Sequence, residues 1–200
     1  MKKIILLLLA LLLQTAYKAQ GGLLDSTALA NYAEYDDLKE ALENPLDVVK
    51  LVLRKKKLRA FPREIFKFKN LQYLDLSKNI IKQLPDSLYL LKDLQFLIVS
   101  NTELESLPND IGKMKNLKYL NVNQNNIGRI PYSFGELTNL ESADMWSNDL
   151  DYVPETLVNL KKLRMLDLRN ILIPQTEQDN ISAQLPNTTI FFSPPCQCSW

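Results

Sequence analysis

Residues 71–93 read LQYLDLSKNIIKQLPDSLYLLKD, and the next 23 residues (94–116) read LQFLIVSNTELESLPNDIGKMKN. Three further stretches align with these two without a gap when the chain is written in rows of 23 residues. They are VVKLVLRKKKLRAFPREIFKFKN (48–70), LKYLNVNQNNIGRIPYSFGELTN (117–139) and LESADMWSNDLDYVPETLVNLKK (140–162). A sixth row opens as LRMLDLRN at residue 163 and then departs from the pattern. Repetition at a fixed period of about 20–50 residues is typical of stacked repeat proteins.

In each row the apolar residues recur at the same positions, which would face one side of a coil formed by that row. Positions 4 and 6, such as Leu74 and Leu76, alternate with polar residues, as a half-buried strand requires. Position 15 is proline in all five full rows, which favours an extended stretch or the first turn of a helix. Positions 18 and 21, such as Leu88 and Leu91, follow at near-helical spacing. One coil cannot bury these residues alone, so the pattern predicts a solenoid.

This spacing resembles the LxxLxLxxNxLxxLPxxLxxL form of the leucine-rich repeat family, over residues 48–170. The resemblance implies an α/β solenoid with a curved parallel β-sheet on the concave face and short helices or extended turns on the convex face. It also implies that the position-9 side chains lie inside and hydrogen-bond the backbone of the turns. These side chains are Asn79, Thr102, Asn125 and Asn148. Lys56 and Ile171 occupy the same position in the outer rows and break the pattern, as expected where a coil meets a cap.

The N-terminus, MKKIILLLLALLLQTAYKAQ, has the features of a secretory signal peptide over residues 1–19. Lys2 and Lys3 precede the apolar run Ile4–Leu13, and Ala16 and Ala19 are small residues suited to cleavage. The alternative is an uncleaved membrane anchor, but a run of this length is too short to span a bilayer as a helix. The sequence therefore predicts an exported protein, secreted or periplasmic, that does not span the membrane after signal removal.

Charge is divided unevenly between the first row and the segment before it. Row 48–70 contains nine basic residues and one acidic residue, whereas segment 20–47 contains one basic residue and seven acidic ones. Within that segment, Tyr35, Leu38, Ala41 and Leu42 recur at helical spacing, which predicts an N-terminal cap helix with an acidic face. The cap would neutralise the run RKKKLR (54–59). The alternative is an outward patch for an anionic partner.

Composition excludes several classes of function. The chain has no histidine, which excludes Ser-His-Asp and Cys-His catalysis and His-ligated zinc. Without Lys2, Lys3 and Lys18, 21 basic residues stand against 23 acidic ones, and an exported, slightly acidic protein is a poor candidate for binding nucleic acid. No cofactor, metal site or enzymatic activity is predicted.

The last 30 residues (171–200) are predicted to form a C-terminal cap and tail. Thr176–Asp179 resembles a capping box that opens a short helix, with Ile181 and Leu185 on one face. Residues 188–192 (TTIFF) favour a closing strand. The only cysteines, Cys196 and Cys198, are interpreted as exposed thiols or as partners in an intermolecular disulfide, and a metal site formed by two thiolates alone is weakly supported.

Solvent residues of the predicted strands, at positions 3, 5 and 7, should line the concave face. Adjacent strands lie about 4.8 Å apart, so Tyr73, Phe96 and Tyr119 are expected to form a row. Contiguous exposed aromatic residues indicate a contact site, although neighbouring rings on a sheet also simply cover one another. The candidate binding residues are Tyr73, Phe96, Ile98, Tyr119, Asn121, Asp144 and Trp146.

These residues support two hypotheses of function. The first is a non-catalytic, exported recognition module that binds a protein or peptide on the concave face. The alternative is an envelope or matrix component that binds glycan through the same aromatic row.

Overall fold

The computed structural model describes residues 22–193, so the predicted signal peptide, Cys196 and Cys198 lie outside the described residues. The chain forms two compact units, divided between Asn31 and Tyr32. The described part of the first unit contains one short helix, α1 (Ser26–Ala30), whose N-terminus is capped by Asp25. No helix within residues 22–193 has both the length and the apolar character needed to cross a membrane.

The second unit is organised by a single sheet of eight parallel strands, which follow one another in chain order. The strands are β1 (Glu34–Tyr35), β2 (Lys50–Val52), β3 (Tyr73–Asp75), β4 (Phe96–Ile98), β5 (Tyr119–Asn121), β6 (Ser142–Asp144), β7 (Met165–Leu168) and β8 (Thr189–Phe192). From β2 to β7, residues 23 apart in sequence are paired, as in the series Tyr73, Phe96 and Tyr119. The solenoid predicted from the sequence period is therefore confirmed, with a curved sheet that does not close.

Short 3₁₀ helices return the chain on the opposite side of the coils. They span Arg63–Lys67, Asp86–Leu90, Ile111–Lys113, Tyr132–Glu136 and Glu155–Asn159. In each coil the carbonyl of the position-15 proline accepts a hydrogen bond from the amide three residues later, as in Leu88 N to Pro85 O at 2.9 Å. The three-residue turn explains the spacing of positions 18 and 21, because side chains three apart share one face of a 3₁₀ helix. Leu88 and Leu91 are accordingly buried.

The position-9 side chains form the ladder that the family resemblance implies. The Asn125 amide donates to Val122 O of its own coil at 2.9 Å and to Val99 O of the preceding coil at 2.7 Å. Its Oδ1 accepts from the backbone amides of Thr102 and Leu104, both at 3.0 Å. Asn79 and Asn148 likewise reach back into the coil before their own. The ladder satisfies backbone groups that the tight turns would otherwise bury unpaired.

Position 8 of every coil adopts a left-handed backbone conformation, although none of its residues is glycine. The residues are Lys55, Lys78, Asn101, Gln124, Ser147 and Asn170, with φ between 53° and 59°. This region costs an ordinary L-residue about 1–2 kcal/mol. At Lys78, Gln124 and Ser147 the next residue is a ladder asparagine, and its bonds to two coils offset this cost.

The N-terminal cap differs in part from the prediction. The helix α2 (Leu38–Ala41) begins after Asp37, whose carboxylate accepts from the amides of Lys39 and Glu40 at 2.8 and 3.0 Å. Asp37 therefore caps the start of the helix, but the helix has a single turn. Tyr35 precedes this N-cap and lies in β1, where it adds an unpredicted strand beside β2.

The C-terminal elements follow the prediction except at one helix start. Strand β8 pairs with β7, and helix α3 (Gln175–Gln184) buries Ile181, with Leu185 buried just after its end. The capping-box prediction for Thr176–Asp179 is wrong, because the helix begins at Gln175 and Pro174 is its N-cap, without a side-chain hydrogen bond. The carbonyl of Pro174 accepts the first bonds of the helix, from the amides of Glu177 and Gln178 at 2.9 and 3.0 Å.

Candidate binding surface on the concave face

Three aromatic rings form a continuous row across β3, β4 and β5. The ring centroids of Tyr73 and Phe96 lie 5.8 Å apart with planes at 25°, and those of Phe96 and Tyr119 lie 5.8 Å apart at 29°. Lys50 Nζ lies 5.4 Å from the centroid of the Tyr73 ring. All three rings are half-buried. The stacking expected from the 23-residue period is thus confirmed as geometry.

The environment of Tyr73 keeps its phenol neutral. Burial, with a smaller contribution from the carboxylate of Asp75, raises the pKa of Tyr73 to about 12. The Tyr73 ring is therefore uncharged at physiological pH.

Position 5 has a structural function that sequence reasoning missed. Its polar side chains accept a hydrogen bond from the backbone amide two residues later and so close the end of each strand. The pairs are Asp75 with Ser77 (2.7 Å), Asn121 with Asn123 (3.1 Å), Asp144 with Trp146 (3.2 Å) and Asp167 with Arg169 (3.1 Å). Asp and Asn favour this turn because their short side chains reach that amide. Ile98, the position-5 residue of β4, cannot form such a bond.

Asp144 is the centre of a polar network beside the aromatic row. Its Oδ2 accepts from Asn123 Nδ2 at 2.6 Å and from Asn121 Nδ2 at 3.2 Å. Asn121 Nδ2 also lies 3.4 Å from the Tyr119 hydroxyl, which joins the network to the row. Burial raises the pKa of the Asp144 carboxyl, although the bond from Asn123 opposes this shift.

Asp167, on the neighbouring strand, has its charge balanced within the protein. Arg169 Nε lies 2.9 and 3.1 Å from its two carboxylate oxygens, and the guanidinium also donates through Nη2. The two carboxylates that the strands bring side by side are therefore not equivalent. Asp144 is held by amides, whereas Asp167 is paired with a cation.

The candidate residues thus fall into two adjoining groups. Tyr73, Phe96, Ile98 and Tyr119 form an apolar group on β3 to β5, and Asn121, Asp144 and Trp146 form a polar and aromatic group at β5 and β6. Trp146 is half-buried and lies two residues beyond Asp144 on the same face. A surface of this kind offers apolar area for a ligand beside one carboxylate.

The basic first coil is partly neutralised by the segment before it. Lys50 pairs with Glu34 at 3.2 Å and Lys56 pairs with Asp36 at 3.7 Å. The hydrogen bond from the Glu40 amide is the main cause of the lowered pKa of Asp37, and Lys56 contributes to the same shift. These contacts support the self-neutralising interpretation of RKKKLR, although exposed pairs of this type stabilise a fold only slightly.

We expect the protein not to be retained on heparin or duplex DNA at about 0.15 M salt, because the acidic segment offsets the field of the first coil. The double variant Glu34→Gln, Asp36→Asn should be retained to higher salt than the wild type. Salt-gradient elution of both proteins measures the effect. Retention of the wild type at physiological ionic strength would instead establish an outward surface for anionic partners.

A second concavity lies away from the predicted residues. A groove of about 510 Å³ is lined by Tyr132 and Tyr152, whose ring centroids are 6.4 Å apart, and by Arg129 and Asp151. These residues occupy positions 12, 13 and 16 of their repeats. The candidate binding residues were predicted from the strand positions 3, 5 and 7 alone. Within residues 22–193, no group of three or more His, Cys, Asp or Glu is placed to hold a metal ion.

Comparison with known proteins gives matches to repeat families. A family model described as "Leucine-rich repeat region" matches residues 39–120, and one described as "Leucine Rich Repeat" matches residues 116–137. No curated protein matches the sequence.

Solved structures with a similar fold come from bacteria and plants. A leucine-rich repeat protein of Leptospira interrogans is 33% identical over 80% of this chain, with a TM-score of 0.70. The plant peptide hormone receptor RGFR1, in complex with RGF2, is 30% identical over 74% of this chain, with a TM-score of 0.60. Internalin C2 of Listeria monocytogenes, at 19% identity over 78% of this chain and 66% of its own, has a TM-score of 0.63 and supports the fold alone. This chain spans 40% of the Leptospira protein and 24% of the plant receptor chain.

Proposed function

Because the chain belongs to the leucine-rich repeat family, we propose that it is a non-catalytic recognition module that binds a protein or peptide segment on its concave face. The family and the fold are typical of binding modules. The observation that carries the proposal is the half-buried row of Tyr73, Phe96 and Tyr119, which the Tyr119 hydroxyl joins to the polar network at Asp144. Tyrosine and tryptophan at the centre of a surface are common anchors of protein interfaces.

The dimensions of the sheet suit an extended segment. Strands β2 to β7 are separated by five inter-strand spacings of about 4.8 Å, so the face measures about 24 Å across the strands. An extended chain covers about 3.3 Å per residue, so a segment of about seven residues would cross this face. The plant receptor RGFR1, whose structure is a complex with RGF2, gives support from a relative of similar fold.

The stacking of the row favours a protein ligand over a glycan. Both faces of Phe96 are covered by neighbouring rings, and Tyr73 lies between Phe96 and the Lys50 ammonium group. A sugar ring stacks on an open aromatic face, whereas apolar side chains also pack against ring edges. We therefore keep the protein or peptide ligand as the proposal. Export, based on the signal-like residues 1–19, is part of the same proposal.

Selection from a random displayed peptide library provides a direct test. Alanine at Tyr73, Phe96, Tyr119 or Trp146 should weaken the binding of a selected peptide by more than about 1 kcal/mol, which is more than about five-fold in Kd. Isothermal titration measures affinity, and circular dichroism shows whether each variant remains folded. Tyr132→Ala and Tyr152→Ala are matched controls, since both remove exposed tyrosines away from this face. Equal binding by all the concave-face variants, or loss of folding without a specific loss of affinity, would contradict the proposal.

A further inference from the structure

We infer that the partner places a basic side chain, lysine or arginine, against Asp144 and Trp146 on the concave face. This inference rests on the proposed function and specifies the chemistry of the ligand. The observations behind it are the hydrogen bonds of one carboxyl group, an indole without an aromatic or cationic partner among the described residues, and their distance from the aromatic row.

Asp144 presents on this face a carboxyl group whose hydrogen bonds, within the described residues, come from amides of the protein. Its oxygens accept from the backbone amide of Trp146 and from the side-chain amides of Asn121 and Asn123. Among the described residues, no lysine or arginine forms an ion pair with it. An ionised carboxylate has about four acceptor sites, and these three bonds leave capacity for a further donor.

The nearest cation is held elsewhere. The Arg169 guanidinium donates to both oxygens of Asp167 on β7, so these two charges balance each other. Arg169 also lies 5.4 Å from the centroid of the Phe191 ring. The remaining charge on this part of the face is therefore that of Asp144, which a complementary cation of a ligand would neutralise.

Trp146 supplies the second element of the subsite. It lies two residues after Asp144 on the same face, about 7 Å further along the chain. In the part of the chain that the structure describes, no aromatic ring or cationic group stacks on its indole, whereas Tyr73 and Phe191 each have a cation near the ring. Tryptophan is the most favourable aromatic partner for lysine or arginine. A carboxylate and a half-buried indole on one face together suit a cationic side chain.

The position of this subsite predicts a spacing in the ligand. Asp144 on β6 is two strands across from Phe96 on β4 and two residues further along its strand, a separation of about 12 Å. An extended chain covers that distance in about three to four residues. The selected peptides should therefore carry an apolar or aromatic residue about three or four positions from a lysine or arginine.

The experiment compares peptide selections on the full chain, on Asp144→Asn and on Asp149→Asn. Asp149 is an exposed carboxylate outside the concave face and serves as a matched control for the loss of charge. The wild type and Asp149→Asn should enrich peptides with a basic residue at the predicted spacing, and Asp144→Asn should lose that enrichment. Alanine in place of the basic residue should weaken binding to the wild type about ten-fold and binding to Asp144→Asn less than about two-fold.

Trp146→Leu gives an independent check, because it keeps an apolar side chain and removes the ring. It should reduce the preference for the basic residue while Asp144 remains in place. Enrichment of peptides without a basic residue on the wild type, or equal enrichment of basic peptides on Asp144→Asn, would overturn the inference and leave the proposed function standing. Failure of the wild type to enrich any peptide over the quadruple alanine variant at Tyr73, Phe96, Tyr119 and Trp146 would overturn both.

Discussion

Replacing Asn125 with alanine should lower the free energy of unfolding by about 3–5 kcal/mol. The Asn125 side chain completes the turns of two coils, through Val99 O and Leu104 N of one coil and Val122 O of its own. Val99 O and Val122 O would keep Thr102 Oγ1 and Asn148 Nδ2 as donors. The buried amides of Thr102 and Leu104 would lose their acceptor, Asn125 Oδ1, and each such group costs about 1–3 kcal/mol. Urea denaturation followed by circular dichroism would measure the change.

The matched control for this variant is the neighbouring residue. Asn126 is exposed, and its backbone amide, rather than its side chain, bonds to Leu104 O at 2.9 Å. Asn126→Ala should therefore change stability by less than about 0.5 kcal/mol. If the two substitutions had similar effects, the ladder would not be a main source of cohesion between coils.

Replacing Gly135 with alanine should lower the free energy of unfolding by about 3 kcal/mol. An added Cβ would lie 2.3 Å from the backbone oxygen of Thr156 in the next coil. Gly112 is similar, since its Cβ would lie 2.1 Å from Ser133 O. The obstacle in each case is backbone, so relief requires two coils to move apart, and overpacking of this kind costs about 1–3 kcal/mol or more.

Gly128 provides the comparison within the same chain. An added Cβ there meets no atom within 4 Å. Gly128→Ala should therefore leave the melting temperature nearly unchanged or raise it slightly, because alanine restricts the unfolded chain. A Gly135→Ala protein as stable as Gly128→Ala would show that the packing of the 3₁₀ helices is looser than the structure indicates.

The sequence period was sufficient to predict strand register. A gapless repeat of 23 residues fixes which residues become neighbours, and the pairings of Tyr73 with Phe96 and of Phe96 with Tyr119 follow from it directly. The same period predicted the buried faces of the coils. Outside the repeats there is no sequence period to indicate which residues become neighbours. The single-turn helix α2, strand β1 and the start of α3 were therefore predicted less well.

The left-handed residues at position 8 could not be predicted from residue type. Glycine is the usual signal for positive φ, whereas this chain has lysine, asparagine, glutamine and serine there. At Lys78, Gln124 and Ser147 this conformation goes with tertiary contacts, because the asparagine at position 9 bonds backbone groups of two coils. Asparagine adopts positive φ more readily than most residues, but lysine, glutamine and serine give no such signal.

The candidate site was predicted in outline. Alternation along the strands identified the concave face, but the side chains at position 5 also bond the backbone of their own turn, as Asp144 does to Trp146 N. That bond depends on the conformation of the chain beyond the strand. Similarly, the difference between Asp144 and Asp167 depends on where one guanidinium lies, which the sequence period does not specify.

The ladder asparagines bond to the coil that precedes their own in sequence, and this has a consequence for synthesis on the ribosome. Asn79 Nδ2 donates to Leu53 O, 26 residues earlier, and Asn125 and Asn148 reach back by the same distance. A nascent chain therefore cannot complete the turn of one coil until the next coil has emerged from the exit tunnel. Removing coils from the C-terminal side would leave the backbone groups of the last remaining turn without the asparagine of the next coil. Removing coils from the N-terminal side would instead expose an asparagine side chain to water.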